Sequence, residues 1–387
     1  MEYKLEDIFD LQMGKTPSRS NPEYWNSNDH KWISIGDLSR CGKYIEDTKE
    51  YLSDKAVEES GISIIPAGTV VMSFKLSIGK TAIIPEPMYS NEAIMSFRDK
   101  HVIDILPDYT YYMLSSRDWD TGTNKAVMGK TLNKATLSKI KVKVHGIAEQ
   151  KEIVRVLDKL NAVIEARQME IQKLEDLIKA RFVEMFGTYP ANEKGWDTGT
   201  IRDLVTEVRY GSSRKAADVE LGKYPYLRMN NITYGGELDL TDTKTIDIPD
   251  EELDKCTVRR GDVLFNRTNS KELVGKTCVY NRDEMMVLAG FVVRVRLNDK
   301  AYPEFVSVFL NTDFSKQMLL NMCKTAIGQA NINAQELQNI GIYIPPKDIQ
   351  REFIMFKDQV DKSKAVIQKS LEEAQLLFDS LMQQYFG

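Results

Sequence analysis

Cysteine and histidine are scarce in this chain. Four cysteines (Cys41, Cys256, Cys278 and Cys323) lie far apart in 387 residues, and no C-x-x-C pair occurs. That spacing argues against a disulfide framework and a zinc site, and fits free thiols in a reducing compartment. Three isolated histidines (His30, His101, His145) give no metal-ligand spacing, so no metal is expected. The 22 glycines never form a G-x-G. This removes both the dinucleotide fingerprint and the usual methyl-donor loop. Four GKT triplets, at Gly14, Gly79, Gly129 and Gly275, each lack the glycine five residues earlier that a phosphate-cradling loop needs. Those positions hold Phe9, Phe74, Asn124 and Ser270. No Ser/His/Asp or Cys/His set stands out, so no catalytic residue is assigned. No run of eighteen apolar residues exists, and the start, MEYKLEDIFD, lacks the basic and apolar stretches of a signal peptide. A cytoplasmic location is the expectation. The net charge of −5 means that any nucleic-acid surface must be local.

What the chain does contain is itself, twice. Residues 127–187 and 326–387 align at one offset. Leu132-Asn133 matches Ile332-Asn333, Gln150 and Glu152 match Gln350 and Glu352, and Phe186-Gly187 matches Phe386-Gly387. Upstream the likeness is looser: LEDIFDLQMGKTPSR corresponds to IRDLVTEVRYGSSRK, and KWISIGDL to PYLRMNNI. A divergent mixed domain followed by a better-matched amphipathic segment therefore occurs twice.

The mixed segments read as β-rich. GTVVMSF, GDVLFN and GFVVRVRL are β-branched runs that follow glycine, and SKIKVKV and QNIGIYI alternate. PDYTYYMLSS and PEFVSVFLNT read as short helices opened by proline. The shared segments, 147–187 and 347–387, read as helices of about 60 Å at 1.5 Å per residue. Their apolar stripes are Ile153, Leu157, Leu160, Ile164, Ile171, Leu174 and Ile178 in the first. In the second they are Phe353, Phe356, Val360, Ile367, Leu371, Phe378 and Leu381. A solitary helix of that length cannot hide such a stripe, so an antiparallel coiled-coil pair is expected.

Three polar loops recur in both copies. Lys15, Thr16, Ser18 and Arg19 in GKTPSRS pair with Ser213, Arg214 and Lys215 in GSSRK. Lys75, Ser77 and Lys80 in SFKLSIGKT pair with Asn266, Arg267, Thr268, Asn269, Ser270 and Lys276 in FNRTNSKELVGK. Lys130 in GKTLNK pairs with Gln329 and Asn331 in GQANIN. Arginine and lysine suit guanine edges, asparagine and glutamine suit adenine edges, and hydroxyls and lysines suit phosphates. These residues are the DNA-contact candidates. Asn21-Pro22-Glu23-Tyr24 is one residue from the Asn-Pro-Pro-Tyr tetrad of adenine methyltransferases. With Glu at the second proline and no donor loop, Tyr24 and Trp25 are expected to pack under the loop instead. Glu149-Gln150-Lys151 imitates a nuclease E-x-K tail, but its counterpart is Ile349-Gln350-Arg351, so it reads as a helix start.

Taken together, GKTPSRSNPEYWN, GTVVMSFKLSIGKTAI, RRGDVLFNRTNSKELVGKT, GQANINAQELQNIGIYIPPKDIQ and HGIAEQKEIVRVLDKLNAVIEARQMEIQKLEDLIKARFVEMFG resemble the specificity subunit of type I restriction–modification systems, over the whole chain. The resemblance implies an α+β fold. Two pseudo-twofold-related, β-rich target-recognition domains, 1–146 and 188–346, are separated by two antiparallel helices, 147–187 and 347–387. It also implies a non-catalytic, sequence-specific DNA-binding subunit that reads a bipartite site. Such a subunit docks two adenine methyltransferase subunits and can be joined by a restriction subunit. Cofactors are then absent from the chain, with S-adenosylmethionine expected on the methyltransferase partner. The competing expectations are a degenerate methyltransferase or nuclease, resting on NPEY and EQK, and a coiled-coil scaffold or decoy that reads no sequence.

Overall fold

The computed structural model describes residues 1–75, 77–117, 119, 133–214, 222–326 and 329–387, with the backbone alone at 324–326 and 329. The chain divides into two units. Unit 1 comprises Met1–Arg167 with Ser370–Gly387, and unit 2 comprises Gln168–Lys369. No helix among the described residues is long and apolar enough to cross a membrane.

In unit 1 the central sheet is built from β1 (Phe9–Met13), β2 (Val70–Ser73), β3 (Thr81–Ile83) and β4 (Ile94–Asp99), in the order β1-β4-β2-β3. In unit 2 the same role falls to β5 (Val205–Tyr210), β6 (Val263–Asn266), β7 (Thr277–Val279) and β8 (Val292–Leu297), in the order β5-β8-β6-β7. The topologies are identical, and every neighbouring pair is antiparallel. A second sheet in each unit contains one parallel pair, Trp32 and Ile33 beside Tyr89 and Ser90 in unit 1, and Tyr226 and Leu227 beside Val287 and Leu288 in unit 2. The internal repeat thus extends through the regions where sequence likeness is faint.

Glycine marks the matched turns for a steric reason. Gly79 and Gly275 both have positive φ, at 88° and 80°. A Cβ at Gly79 would come within 2.6 Å of the Trp119 ring, and one at Gly275 within 2.7 Å of Leu319. The GKT triplets at these two sites are therefore turn residues that no side chain can replace cheaply.

Two proline-opened helices, α1 (Pro107–Ser115) and α3 (Pro303–Asn311), pack on the central sheets. The long helices are α2 (Ile147–Phe186) and α4 (Lys347–Phe386). Each begins in one unit and ends in the other. In unit 1, Ile153 and Leu157 of α2 share a core with Met382, Phe378, Leu381 and Tyr385 of α4. In unit 2, Ile178, Phe182 and Phe186 of α2 share a core with Phe353 and Val360 of α4, with Leu174 and Phe356 packed against it. The start of one helix thus meets the end of the other, which makes the pair antiparallel.

The same cores contain β-strand and short-helix residues: Tyr109, Tyr112 and Phe97 in unit 1, Phe305, Phe309 and Tyr343 in unit 2. The helices are therefore built into the domains, where a free-standing coiled coil would pack on itself alone. This explains how the expected stripe departs from the observed one. A two-helix seam needs only a narrow heptad stripe, whereas a helix that also covers a sheet needs a wider one. Phe182 and Phe186, fully buried, and Met382 belong to that wider face. Ile164 is buried, while Leu160, Ile171, Ile367 and Leu371 are only half-buried and lie outside both cores.

One side chain performs the same task in both units. Gln150 and Gln350 are fully buried in the first turns of α2 and α4. The Gln150 amide donates to the carbonyls of Asp104 and His145, both at 2.9 Å, and its oxygen accepts from Leu106 N at 3.0 Å. The Gln350 amide donates to Lys300 and Pro345, at 3.0 and 2.8 Å, and its oxygen accepts from Tyr302 N at 2.9 Å. Leu106 and Tyr302 are the N-caps of α1 and α3. EQK is thus part of a joint between helix and domain.

Candidate nucleic-acid interface

In each unit the candidate loops gather round one turn, and the same backbone bonds hold them there. In unit 1, Gly14 N donates to Ile94 O and Lys15 N to Ser90 O, while Phe74 N donates to Ala93 O at 3.0 Å. In unit 2, Gly211 N donates to Val292 O and Ser212 N to Leu288 O, while Arg267 N donates to Phe291 O at 3.0 Å. Gly14 and Gly211 are required by close approach: an added Cβ would lie 2.1 Å from Ser90 O in the first and 2.3 Å from Leu288 O in the second.

The third loop joins the group in unit 2. Thr268–Asn269 pairs with Gln329–Asn331 in a short antiparallel sheet, with Thr268 opposite Asn331 and Asn269 opposite Ala330. Ile332 N donates to Arg267 O. Residues 211–214, 266–270 and 329–332 therefore form one face around the 288–292 turn. Lys130 and Lys215 lie outside the described residues, as does the side chain of Gln329.

The strand geometry corrects part of the candidate set. FNRTNS reads as a loop in the sequence, but Phe265–Asn266 and Thr268–Asn269 are in paired strands, where side chains alternate in direction. Asn266 is fully buried, Thr268 is buried, and Arg267 between them turns outward. Lys276 is also buried, with its ammonium donating to Met229 O at 2.9 Å. Asn266, Thr268 and Lys276 are thus framework residues. The Asn266 amide finds no hydrogen-bond partner among the described residues. Its unit 1 counterpart, Ser73, is equally buried, and its hydroxyl donates to Ser77 O at 2.6 Å.

Several remaining candidates already have partners. Arg19 pairs with Glu50 and lies 3.7 Å over the Trp25 ring. Thr16 donates to Glu92, Lys15 to Ser60 O, and Arg214 to Glu252 at 2.7 Å. Ser77, Lys80 and Ser213 are exposed, and Lys75, Asn269, Ser270 and Asn331 are half-buried.

Arg267 has a different setting. Its guanidinium lies 4.9 Å from the centroid of the Tyr210 ring, a cation–π contact, and its Nη1 donates to Gly290 O at 3.5 Å. The Tyr210 hydroxyl accepts from Ala334 N at 2.9 Å, so its ring is itself fixed. Phe291, half exposed, stands on the adjoining turn. Tyr210 and Phe291 were missed from the sequence. Both sit at strand ends in β-type patterns, and nothing in such a pattern distinguishes an outward aromatic from an inward one. At the positions that make the same backbone bond, unit 1 has buried Phe74 and Ala93. The shared frame therefore presents an arginine and an aromatic ring in unit 2 and neither in unit 1.

Lysine chemistry is also uneven. Burial, reinforced by Lys179 and Lys276 nearby, pushes Lys316 down to about 7. Its ammonium donates to Gly275 O at 3.0 Å.

The NPEY stretch is committed to packing. Asn21 Oδ1 accepts from Glu23 N, Pro22–Tyr24 forms a single 3-10 turn, and the Tyr24 hydroxyl donates to Glu59 at 2.6 Å. The Trp25 indole donates to Ser18 O and packs edge-on against Trp32 at 5.0 Å.

The family described as "Type I restriction modification DNA specificity domain" matches the chain twice, over residues 1–176 and 193–376. The EcoKI specificity subunit of Escherichia coli strain K12 is 23% identical over 264 residues, which cover 64% of this chain and 56% of that protein. The MjaIX specificity subunit of Methanocaldococcus jannaschii is 26% identical over 261 residues, covering 62% and 59%. The chain thus spans a little over half the length of these curated relatives. A crystal structure of a type I system S subunit from M. genitalium superimposes with a TM-score of 0.53. It covers all of this chain and 96% of that one at 13% identity, a likeness of fold.

Proposed function

We propose a function that proceeds from one premise: the chain belongs to the type I restriction–modification DNA specificity family. It is the DNA-reading subunit of such a complex. Each unit reads one half of a bipartite target, and α2 and α4 set the spacing between halves. Two adenine methyltransferase subunits dock on the twofold-related frame and bring S-adenosylmethionine and the chemistry. A restriction subunit joins them to cut unmethylated DNA in the cytoplasm. The chain itself catalyses nothing.

The observation that carries this reading is the matched turn with unmatched side chains. Two identical frames can hold two identical partners. One frame turns Arg267 and Phe291 outward where the other buries Phe74 and Ala93, so the two faces offer a duplex different groups. An arginine suits the bidentate acceptor edge of guanine, and an apolar ring suits a thymine methyl. The acidic net charge is tolerable where partners supply phosphate-facing surface.

The test is retention of DNA by the chain purified with a methyltransferase partner. One bipartite duplex should be held over scrambled DNA at physiological salt. Equal retention of both would overturn the reading.

A further inference from the structure

The loop that seats each unit's domain on the long helices carries opposite charge in the two copies. In unit 1 the residue is Lys43. Its ammonium lies 2.6 Å from Asp108 and 2.6 Å from Asp158 on α2, and faces the Tyr112 ring. In unit 2 the counterpart is Glu237, which accepts from Lys364 on α4. Lys364 also donates to Glu175 on α2 at 2.8 Å.

The two loops are equivalent by their position after matching caps, although the Lys43 carbonyl accepts from Ile83 N and that of Glu237 from Thr233 N. Both follow a short helical turn with the same cap: Ser34 N donates to Asp37 at 2.8 Å, and Arg228 N donates to Asn231 at 2.8 Å. Lys43 and Glu237 stand the same number of residues beyond those caps. The acids around Lys43 are repeated in unit 2, where Glu304 and Asp358 line the groove beside Glu237 and Lys364. The helix position is not repeated, because buried Ile164 stands where the other copy has buried Lys364.

We propose that these paired differences, Lys43 with Ile164 and Glu237 with Lys364, form a docking code that lets each recognition domain seat only on its own helix segment. A unit 2 domain on the first segment would place Glu237 beside Asp158 with no lysine to answer it. A unit 1 domain on the second segment would place Lys43 beside Lys364. The second mismatch brings two largely buried lysines together, and the first sets two half-exposed carboxylates side by side. The frame is shared by both copies, so backbone fit alone does not discriminate. The occupant excluded is the other domain, from the same chain or from a second copy.

Thermal unfolding of the full-length chain tests the code without DNA, so its outcome is separate from the reading above. Lys43→Glu and Ile164→Lys should each lower Tm, by roughly 5–10 °C. Combined, they transplant the unit 2 pair and should recover at least half of the summed loss. The mirror transplant, Glu237→Lys with Lys364→Ile, should behave likewise and decides the matter if the first pair fails to fold. Losses that simply add in both transplants would overturn the proposal. A chain in which residues 188–346 replace 1–146 gives the direct discrimination. It should unfold early, and Ile164→Lys should raise its Tm; no rise would count against the code.

Discussion

Unit 1 and unit 2 secure the same fold with different interiors. Where β4 crosses β1, unit 1 uses Ser96, whose hydroxyl donates to Gln12 O at 3.0 Å. At the matching place in β8, unit 2 has Arg294, almost fully buried, paired with Glu207 at 2.8 Å. Arg296 joins the network, 2.7 Å from Glu207 and 2.9 Å from Asp262. The helix seams differ too. Phe182 of unit 2 packs among Phe186, Phe305, Phe353 and Tyr343, while the buried positions of the unit 1 seam are Ile153, Leu157 and Met382, with Phe378, Tyr385 and Phe386 only half-buried around them. Topology is thus maintained by main-chain bonds and glycine turns, with one register shift between Val205 and Glu207 that unit 1 lacks, and the material that fills the frame is free to diverge.

That contrast can be broken or sharpened by mutation. The largest effect belongs to the aromatic seam: Phe182→Ala should cost unit 2 about 3–5 kcal/mol in urea denaturation, and Leu157→Ala somewhat less in unit 1. Glu207→Ala leaves Arg294 buried without its carboxylate and should cost about 3 kcal/mol. Ser96→Ala at the equivalent crossing should cost only about 1 kcal/mol. Equal losses there would show that the network is not what distinguishes unit 2. Gln150→Leu and Gln350→Leu should each cost about 2 kcal/mol, because each leaves buried backbone groups unpaired. Their near-equality, read by amide exchange at Leu106 and Tyr302, is the control that the frame is shared. On DNA, Arg267→Ala should weaken cognate binding by about 1–3 kcal/mol in a titration. Arg19→Ala should matter less, since Glu50 already neutralises that side chain.

The smallest effects are in pH. Burial tends to raise the Asp108 carboxyl, but hydrogen bonds from Lys43 and Tyr44 outweigh it and hold the group below its ordinary value. With the folded value depressed, this contribution is present above the unfolded carboxylate pKa of about 3.9 and is lost as pH falls through the folded one. Burial tends to lower Lys364, but hydrogen bonds to Glu175 and Glu237 outweigh it and raise the group. Its contribution is complete below the unfolded lysine pKa of about 10.4 and is lost as pH rises through the folded value. Asp108→Asn should therefore flatten the acid limb of the thermal stability profile, and Lys364→Met the alkaline limb.

The repeat, the long helices, α1 and α3, and the strands at 70–73, 263–266 and 292–297 were legible in the sequence, because periodicity and proline placement report local geometry. The face of each residue was less legible. FNRTNS reads as a polar loop until pairing with 329–331 puts Asn266 and Thr268 inside and Arg267 outside. Phe182 was passed over because a heptad count follows a two-helix seam, and the third surface, the sheet, is a tertiary fact. The helix at Asp313–Met322 went unread for a similar reason: its stripe packs on α3, which the sequence does not place beside it. The partners of Arg19, Lys43 and Lys364 lie 31, 115 and 189 residues away, beyond any local pattern.

The glutamine joint has an evolutionary consequence. Gln150 and Gln350 grip only main-chain atoms, the carbonyls and amides that every residue supplies. A coupling of that kind is indifferent to the identity of the side chains it holds. Any domain that keeps the path of the chain through this corner inherits this part of the fitting ready-made, which leaves the charges around Lys43 and Lys364 as the part that must be matched anew.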